Sequence, residues 1–252
     1  NFKDPINDPA TLVLIEKELT RSGLDMNLCS VVLEGLTNVL NTPLGGVLGD
    51  LTLAQINKDR RLHELNFDLP LAQKGNQIRP LDIANVFSIE PKARFGLSYA
   101  KKLSELNFSS CGFLTGSIDL IFTDKENQSK ARWWVTDWKS NWIGSNDSEE
   151  QLVKCGPFHY DEDAMNSQMV KHHYPLQAHL YLVALHRYLK WRLHNYNPSR
   201  HLGGYIYIFL RGVPEHHMLS KNTVEKNIPG IIVEPAPLQR VLELDRLLEE
   251  GG

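Results

Sequence analysis

Apolar residues recur with a helical period at the start of the chain. In PATLVLIEKELTRS, residues 9–22, they fall on one face of an amphipathic helix that Gly23 stops. Leu and Val at the same spacing predict a second helix over 27–40, and Asp50 is placed to cap a short third one, LTLAQI. The pattern then changes. RRLHELNFDLPL, 60–71, reads as a strand ended by Pro70; a loop around Gly75 to Pro80 and short helices near 81–88 and 96–106 follow. Two strands at about 112–123 and 132–140, joined by the polar turn DKENQSK, predict a hairpin. An acidic loop leads to a helical turn near 163–172, and Pro175 suits the start of a long helix running to about 194. GGYIYIFLR, 203–211, has the β-branched and aromatic content of a buried strand, and PAPLQRVLELDRLLEE, 235–250, closes the chain as a helix. Helices, strand, helices, hairpin, long helix, strand, helix: this order predicts an α/β or α+β layer fold, a central mixed sheet flanked by helices.

The hairpin carries charge where charge is costly. GSIDLIF, 116–122, places Asp119 between Ile118 and Leu120; WWVTDWKSN, 133–141, places Asp137 and Lys139 among tryptophans. Side chains alternate along a strand, so Asp137 and Lys139 share a face. An antiparallel hairpin allows Asp119 to join them. Two adjacent carboxylates repel, and one would hold a proton unless a divalent cation lies between them. Hard oxygen ligands favour Mg²⁺ or Mn²⁺, which keep waters for substrate oxygens. The adjacent Lys is suited to orient water or to offset charge on a phosphoryl group. The competing reading is an internal salt bridge on an exposed strand face.

The long helix adds a second pattern. At about 100° per residue, Tyr174, Gln177, Tyr181 and Tyr188 form a polar-tipped stripe, suited to bonding phosphates or ordering water. His172, His179 and His186 recur every seven residues and read as a solvated or partner-facing row, as does His216–His217 after Arg211. His63–Glu64, on the first strand, is within possible reach of the hairpin. Trp133, Trp134, Trp138 and Trp142 flank the charges; they suit base stacking, although core packing is the commoner use of a strand Trp.

Composition narrows the setting. The 252 residues allow one large domain or two small ones, and 42% hydrophobic content supports a substantial core. A net charge of −3 gives no bulk nucleic-acid signature, yet residues 164–211 hold six Lys/Arg, six His and no acid, after an acidic stretch at 147–163. Three cysteines, Cys29, Cys111 and Cys155, lie in no metal spacing and fit a reducing cytoplasm. No apolar run reaches the roughly 18 residues of a membrane span. The chain opens on Asn1, which predicts a piece of a longer protein.

G-S-I-D-L-I-F, V-T-D-W-K-S-N, Y-P-L-Q-A-H-L-Y-L-V-A-L-H-R-Y-L and H-L-G-G-Y-I-Y-I-F-L-R-G together resemble the C-terminal nuclease domain of RecB, the beta subunit of exodeoxyribonuclease V, within the PD-(D/E)xK nuclease superfamily. The resemblance is tight from about Gly112 to Gly212. It implies a single nuclease domain over 1–252, with a helical part at 1–60 and a terminal helix at 235–250. It implies a restriction-endonuclease-like α/β core and Mg²⁺-dependent exodeoxyribonuclease activity serving double-strand break repair and recombination. It implies Asp119, Asp137 and the backbone carbonyl of Trp138 as metal ligands, Lys139 as the catalytic lysine, and Gln177 and Tyr181 as DNA-contacting, site-supporting residues; Mn²⁺ or Ca²⁺ would substitute in binding. DNA, RecC, RecD and upstream helicase domains of the same chain are the implied partners. The family also places a His ligand in a G-x-x-x-H-like segment before the first strand. No match stands between Asn1 and Arg60, so that ligand is expected upstream, leaving the isolated chain's activity in question. Two rivals fit the residues alone: a nuclease-like module that binds DNA or partners without chemistry, and a hydrolase of small phosphate esters.

Overall fold

The computed structural model describes residues 2–71, 77–107, 112–127, 130–144, 155–215 and 227–250. In chain order the elements are α1 (Pro9–Arg21), α2 (Cys29–Asn41), β1 (Arg61–Pro70), α3 (Pro80–Ser88), α4 (Leu97–Ser104), β2 (Phe113–Thr123), β3 (Trp133–Lys139), α5 (Glu162–Lys171), α6 (Tyr174–Arg192), α7 (Pro198–His201), β4 (Leu202–Phe209), β5 (Ile231–Pro235) and α8 (Leu238–Glu250). The strands form one five-stranded sheet in the order β1-β2-β3-β4-β5. This mixed sheet flanked by helices is the expected α/β architecture and is compatible with a PD-(D/E)xK-like core. β4 is buried along its whole length, as a strand with GGYIYIF composition requires. No helix among the described residues is long and apolar enough to cross a membrane.

Two compact units divide the chain. One comprises Asn1–Arg60, Trp138–Met165 and Tyr207–Val233. Its first helix ends as the sequence predicts: Gly23 takes a left-handed conformation at φ 67°, and Leu24 N–H donates back to the Leu19 carbonyl. The short helix after Asp50 differs from expectation. It is a single 3₁₀ turn over Leu53–Gln55, and the Gln55 side chain accepts the Thr52 N–H at 3.2 Å, so the N-terminal partner comes from inside the turn rather than from Asp50. Within this unit Tyr160 is fully buried and its hydroxyl donates to the Asn141 carbonyl at 2.6 Å.

The other unit comprises Arg61–Asp137, Asn166–Ile206 and Glu234–Gly252. β1 and β2 pair antiparallel, with Leu65 opposite Ile118. α6 is enclosed here: Ala178, Leu182, Val183 and Leu185 are all fully buried. Fully buried Arg240, from α8, donates to the Arg94 carbonyl at 2.9 Å and to the Glu90 carbonyl, and its guanidinium lies 5.4 Å from the Phe87 ring centre. A side chain at Gly203 would strike the Trp134 indole, and one at Gly204 would strike the Glu234 carbonyl, so the Gly-Gly pair lets β4 pass close to both.

Two readings need correction. The His179 and His186 row is not solvated: His179 is fully buried and His186 is 6% exposed. α6 has no solvent face at those positions, because it is covered on several sides. His179 Nδ1 lies 2.7 Å from the Pro175 carbonyl and its ring 4.4 Å from that of Phe87; desolvation pulls its pKa down to about 3, so it is a neutral Nδ1–H donor. His186 instead pairs with the Tyr196 hydroxyl at 2.8 Å. The sequence reading also lacks β5, a five-residue strand whose IIVEP run is too short to stand out between a turn and a helix. His216–His217, Cys111 and the acids Asp147, Glu149 and Glu150 lie outside the described residues.

Candidate active site

Pairing between β2 and β3 runs from Thr123↔Trp133 to Leu120↔Thr136. One residue further along each strand stand Asp119 and Asp137, the next positions past the last pair. Burial fixes what surrounds them. On the Asp119 face of β2, Thr115 is exposed, Ser117 and Asp119 are half-buried, and Ile121 is fully buried. The opposite face, Ile118, Leu120 and Phe122, is sealed throughout. Asp119 therefore marks the point where the second face of the strand enters the core. Asp137 is deeper, at 4% exposure.

Tyr181 reports on both acids from α6. Its hydroxyl accepts a hydrogen bond from Gln177 Nε2 at 2.8 Å and donates to the Asp137 carboxylate. Desolvation, then the charges of Asp137 and Asp119, push the phenol up to about 12. Both carboxylates thus lie close enough to one hydroxyl to oppose its ionisation. A helical step of four residues places Gln177 directly under Tyr181, and the Phe67 ring of β1 holds the phenol edge-on at 5.9 Å. Asp119, Asp137, Gln177 and Tyr181, read separately from the hairpin and the helix, come together here.

Lys139 is the last residue of β3, two positions past Asp137, so strand alternation gives both the same face. Its ammonium lies 5.3 Å from the Tyr207 ring centre, a cation–π contact that the sequence does not announce. β1 contributes a further feature. His63 pairs with Leu120 and Leu65 with Ile118, so Glu64 stands at the Asp119 level, and it takes a left-handed backbone at φ 48°. Such a conformation costs a non-glycine residue about 1–3 kcal/mol and recurs at functional sites.

The donor chemistry fits a hard divalent cation. Two carboxylates act on one partly buried phenol, an environment in which neighbouring negative charges are expensive without a counter-ion. Among the described residues no three His, Cys, Asp or Glu side chains group to hold a metal ion. Carboxylate oxygens are hard donors, and an ion held by two of them completes its shell with water, backbone and substrate oxygens.

Relatives with this sequence carry one name. A protein from Mycolicibacterium smegmatis named RecBCD enzyme subunit RecB is 35% identical over 219 residues, 83% of this chain and 19% of that protein. Proteins of the same name from Mycobacterium tuberculosis and Escherichia coli are each 32% identical, over 84% and 81% of this chain. The chain is a relative of RecB. It spans about one-fifth of the length of the mycobacterial RecB subunits and 15% of that from E. coli, so the similarity concerns one segment of RecB. No protein-family model matches the chain.

Proposed function

We propose that this segment is a metal-dependent deoxyribonuclease domain of a RecBCD-type helicase–nuclease, hydrolysing phosphodiester bonds of DNA in the repair of double-strand breaks. The observation that carries the reading is the Tyr181 hydroxyl, hydrogen-bonded to Asp137 and near enough to Asp119 to feel its charge. In this reading Asp119, Asp137 and the Trp138 backbone carbonyl hold Mg²⁺, with Mn²⁺ or Ca²⁺ able to take its place in binding. Bound there, the cation supplies Lewis-acid polarisation of a phosphoryl oxygen.

The chain's own groups have separate tasks. The Tyr181 hydroxyl, donating to Asp137, fixes one oxygen of that carboxylate. Gln177 orients that hydroxyl. Lys139, projecting from the same face as Asp137, orients the attacking water and offsets negative charge gathering on the phosphate in the transition state. The buried wall of Ile118, Leu120 and Phe122 behind the acids keeps the strand rigid, so these groups hold position. DNA is the substrate, RecC and RecD the partner subunits, helicase domains of the same polypeptide the supplier of strands, and the cytoplasm the compartment.

The test is Lys139→Ala in the complete polypeptide with its partner subunits. DNA degradation in Mg²⁺ should fall by at least about 100-fold, the scale of losing one charge-stabilising donor, while unwinding continues. Degradation at the normal rate with unwinding intact would refute the assignment. If Asp137→Asn also left degradation intact, the domain would be a binding module rather than an enzyme.

A further inference from the structure

A second site lies at the other end of the same elements. A cavity of about 670 Å³ is lined by Trp133, Tyr188, Arg192, His194 and His201, with Leu62, Thr123, Asn195 and other apolar groups completing it. Among the described residues no carboxylate lines it. That volume is within the usual range of ligand pockets, and the lining pairs flat rings with cationic and N–H donors.

The geometry ties this cavity to the carboxylates. Thr123 is four residues from Asp119 on β2, and Trp133 four from Asp137 on β3, about 13 Å along each strand. Tyr188 is seven residues from Tyr181 on α6, about 10 Å further along the same helical stripe. Two strands and one helix thus run from the acids to the cavity. At its edge Trp191 is 76% exposed, an unusual state for so large a ring; Arg192 lies 5.2 Å from its centre and Tyr188 packs against it at 6.4 Å. His201 is held in place: its Nδ1 lies 2.9 Å from the Asn197 N–H and 3.0 Å from the Asn197 carbonyl, and its ring stacks on Tyr196 at 5.7 Å.

We propose that this cavity, with the exposed Trp191 ring beside it, is an anchoring subsite for one nucleotide of a single DNA strand, the base stacking on Trp191 with Tyr188 edge-on to that ring and the phosphate held by Arg192, His194 and His201. Aromatic faces with interleaved cations are the chemistry by which proteins hold unpaired strands. The inference rests on the reading of this domain as a nuclease, to which it adds a strand-gripping point beside the cutting point.

The experiment is photo-crosslinking in EDTA, where cleavage has no part. The complete polypeptide with its partner subunits is irradiated with a single-stranded oligonucleotide substituted throughout with 5-iododeoxyuridine, and crosslinked peptides are mapped by mass spectrometry. Peptides containing Tyr188 or Trp191 should be labelled, and Arg192→Glu should lower that labelling about tenfold while leaving labelling elsewhere unchanged. With Mg²⁺ present, the same variant should raise KM for DNA and leave kcat nearly unaltered. Absence of label from these peptides, or label that Arg192→Glu does not change, overturns the proposal. One other outcome also overturns it: loss of a partner subunit with labelling intact, which makes the surface a protein-docking face. Because crosslinking is read without turnover, it stands or falls separately from the Lys139→Ala result.

Discussion

The link between Gln177, Tyr181 and Asp137 predicts a measurable coupling. Tyr181→Phe keeps the ring, its edge-on contact with Phe67 and nearly all of its volume, and deletes one oxygen. That oxygen makes two hydrogen bonds: it accepts from Gln177 at 2.8 Å and donates to Asp137, a carboxylate only 4% exposed. The first is a neutral bond, about 1 kcal/mol net; the second reaches an anion, about 1.5–3 kcal/mol. Burying Phe in place of a desolvated phenol returns part of this, so the net loss of unfolding free energy should be about 2–3 kcal/mol without metal.

Gln177→Met should cost about 1 kcal/mol, and the double variant should cost little more than Tyr181→Phe alone, a coupling energy near 1 kcal/mol. The assay is urea denaturation followed by circular dichroism, in EDTA and again in about 10 mM Mg²⁺. Magnesium should shrink the Tyr181→Phe penalty, since a cation at Asp137 supplies the stabilisation that the lost donor gave. Strict additivity in EDTA, or a Tyr181→Phe penalty under about 0.5 kcal/mol, would refute the hydrogen-bond chain.

Other consequences follow from the packing. His179 has a folded pKa of about 3 against 6.5 when unfolded, so below pH 6.5 the unfolded state binds a proton that the folded state does not. Its contribution is complete above pH 6.5 and is lost as the pH falls: about 2 kcal/mol between pH 7.5 and 5, and His179→Phe should flatten the fall in urea midpoint by that amount. Arg240→Ala leaves the Arg94 and Glu90 carbonyls buried without their donor, and should lower stability by about 3–5 kcal/mol; a loss below 1 kcal/mol in urea titration would show that water replaces the guanidinium. Gly203→Ala drives a methyl into the Trp134 indole and should cost about 1–3 kcal/mol, visible as a lower thermal midpoint and a shifted tryptophan emission.

What could be read from the chain beforehand was whatever a short window contains. The hairpin was visible because two alternating runs flank a polar turn, and its acids were visible because charge interrupts those runs. Their register follows from the antiparallel pairing. The long helix was equally plain, and with it the four-residue spacing of Gln177 and Tyr181. The environment of a helix is a different kind of information. The seven-residue spacing of His179 and His186 describes one face of α6, but says nothing about what covers that face; Phe87, from a helix some ninety residues earlier, packs on it at His179. The bond from Tyr181 to Asp137 joins a helix to a strand more than forty residues away, and no periodicity encodes it. The contact of Lys139 with Tyr207 is hidden for the same reason.

The gradient along β2 explains why an acid is tolerable at residue 119 and would not be at residue 121. Both side chains point to the same face, two residues and about 7 Å apart. Ile121 is sealed, whereas Asp119 is half-buried, so Asp119 keeps a path to water and ions while its charge remains in a partly desolvated setting. Moving the acid two residues inward would demand a fully buried, ion-paired carboxylate, which proteins seldom sustain without neutralising it. Moving it outward to Thr115 would place it in solvent, where water screens its attraction for a cation. Asp137 takes the more buried position because Tyr181 meets it with a hydrogen-bond donor. The two acids therefore differ in setting: Asp137 is the more buried, donor-held carboxylate, and Asp119 is the one that keeps access to solvent.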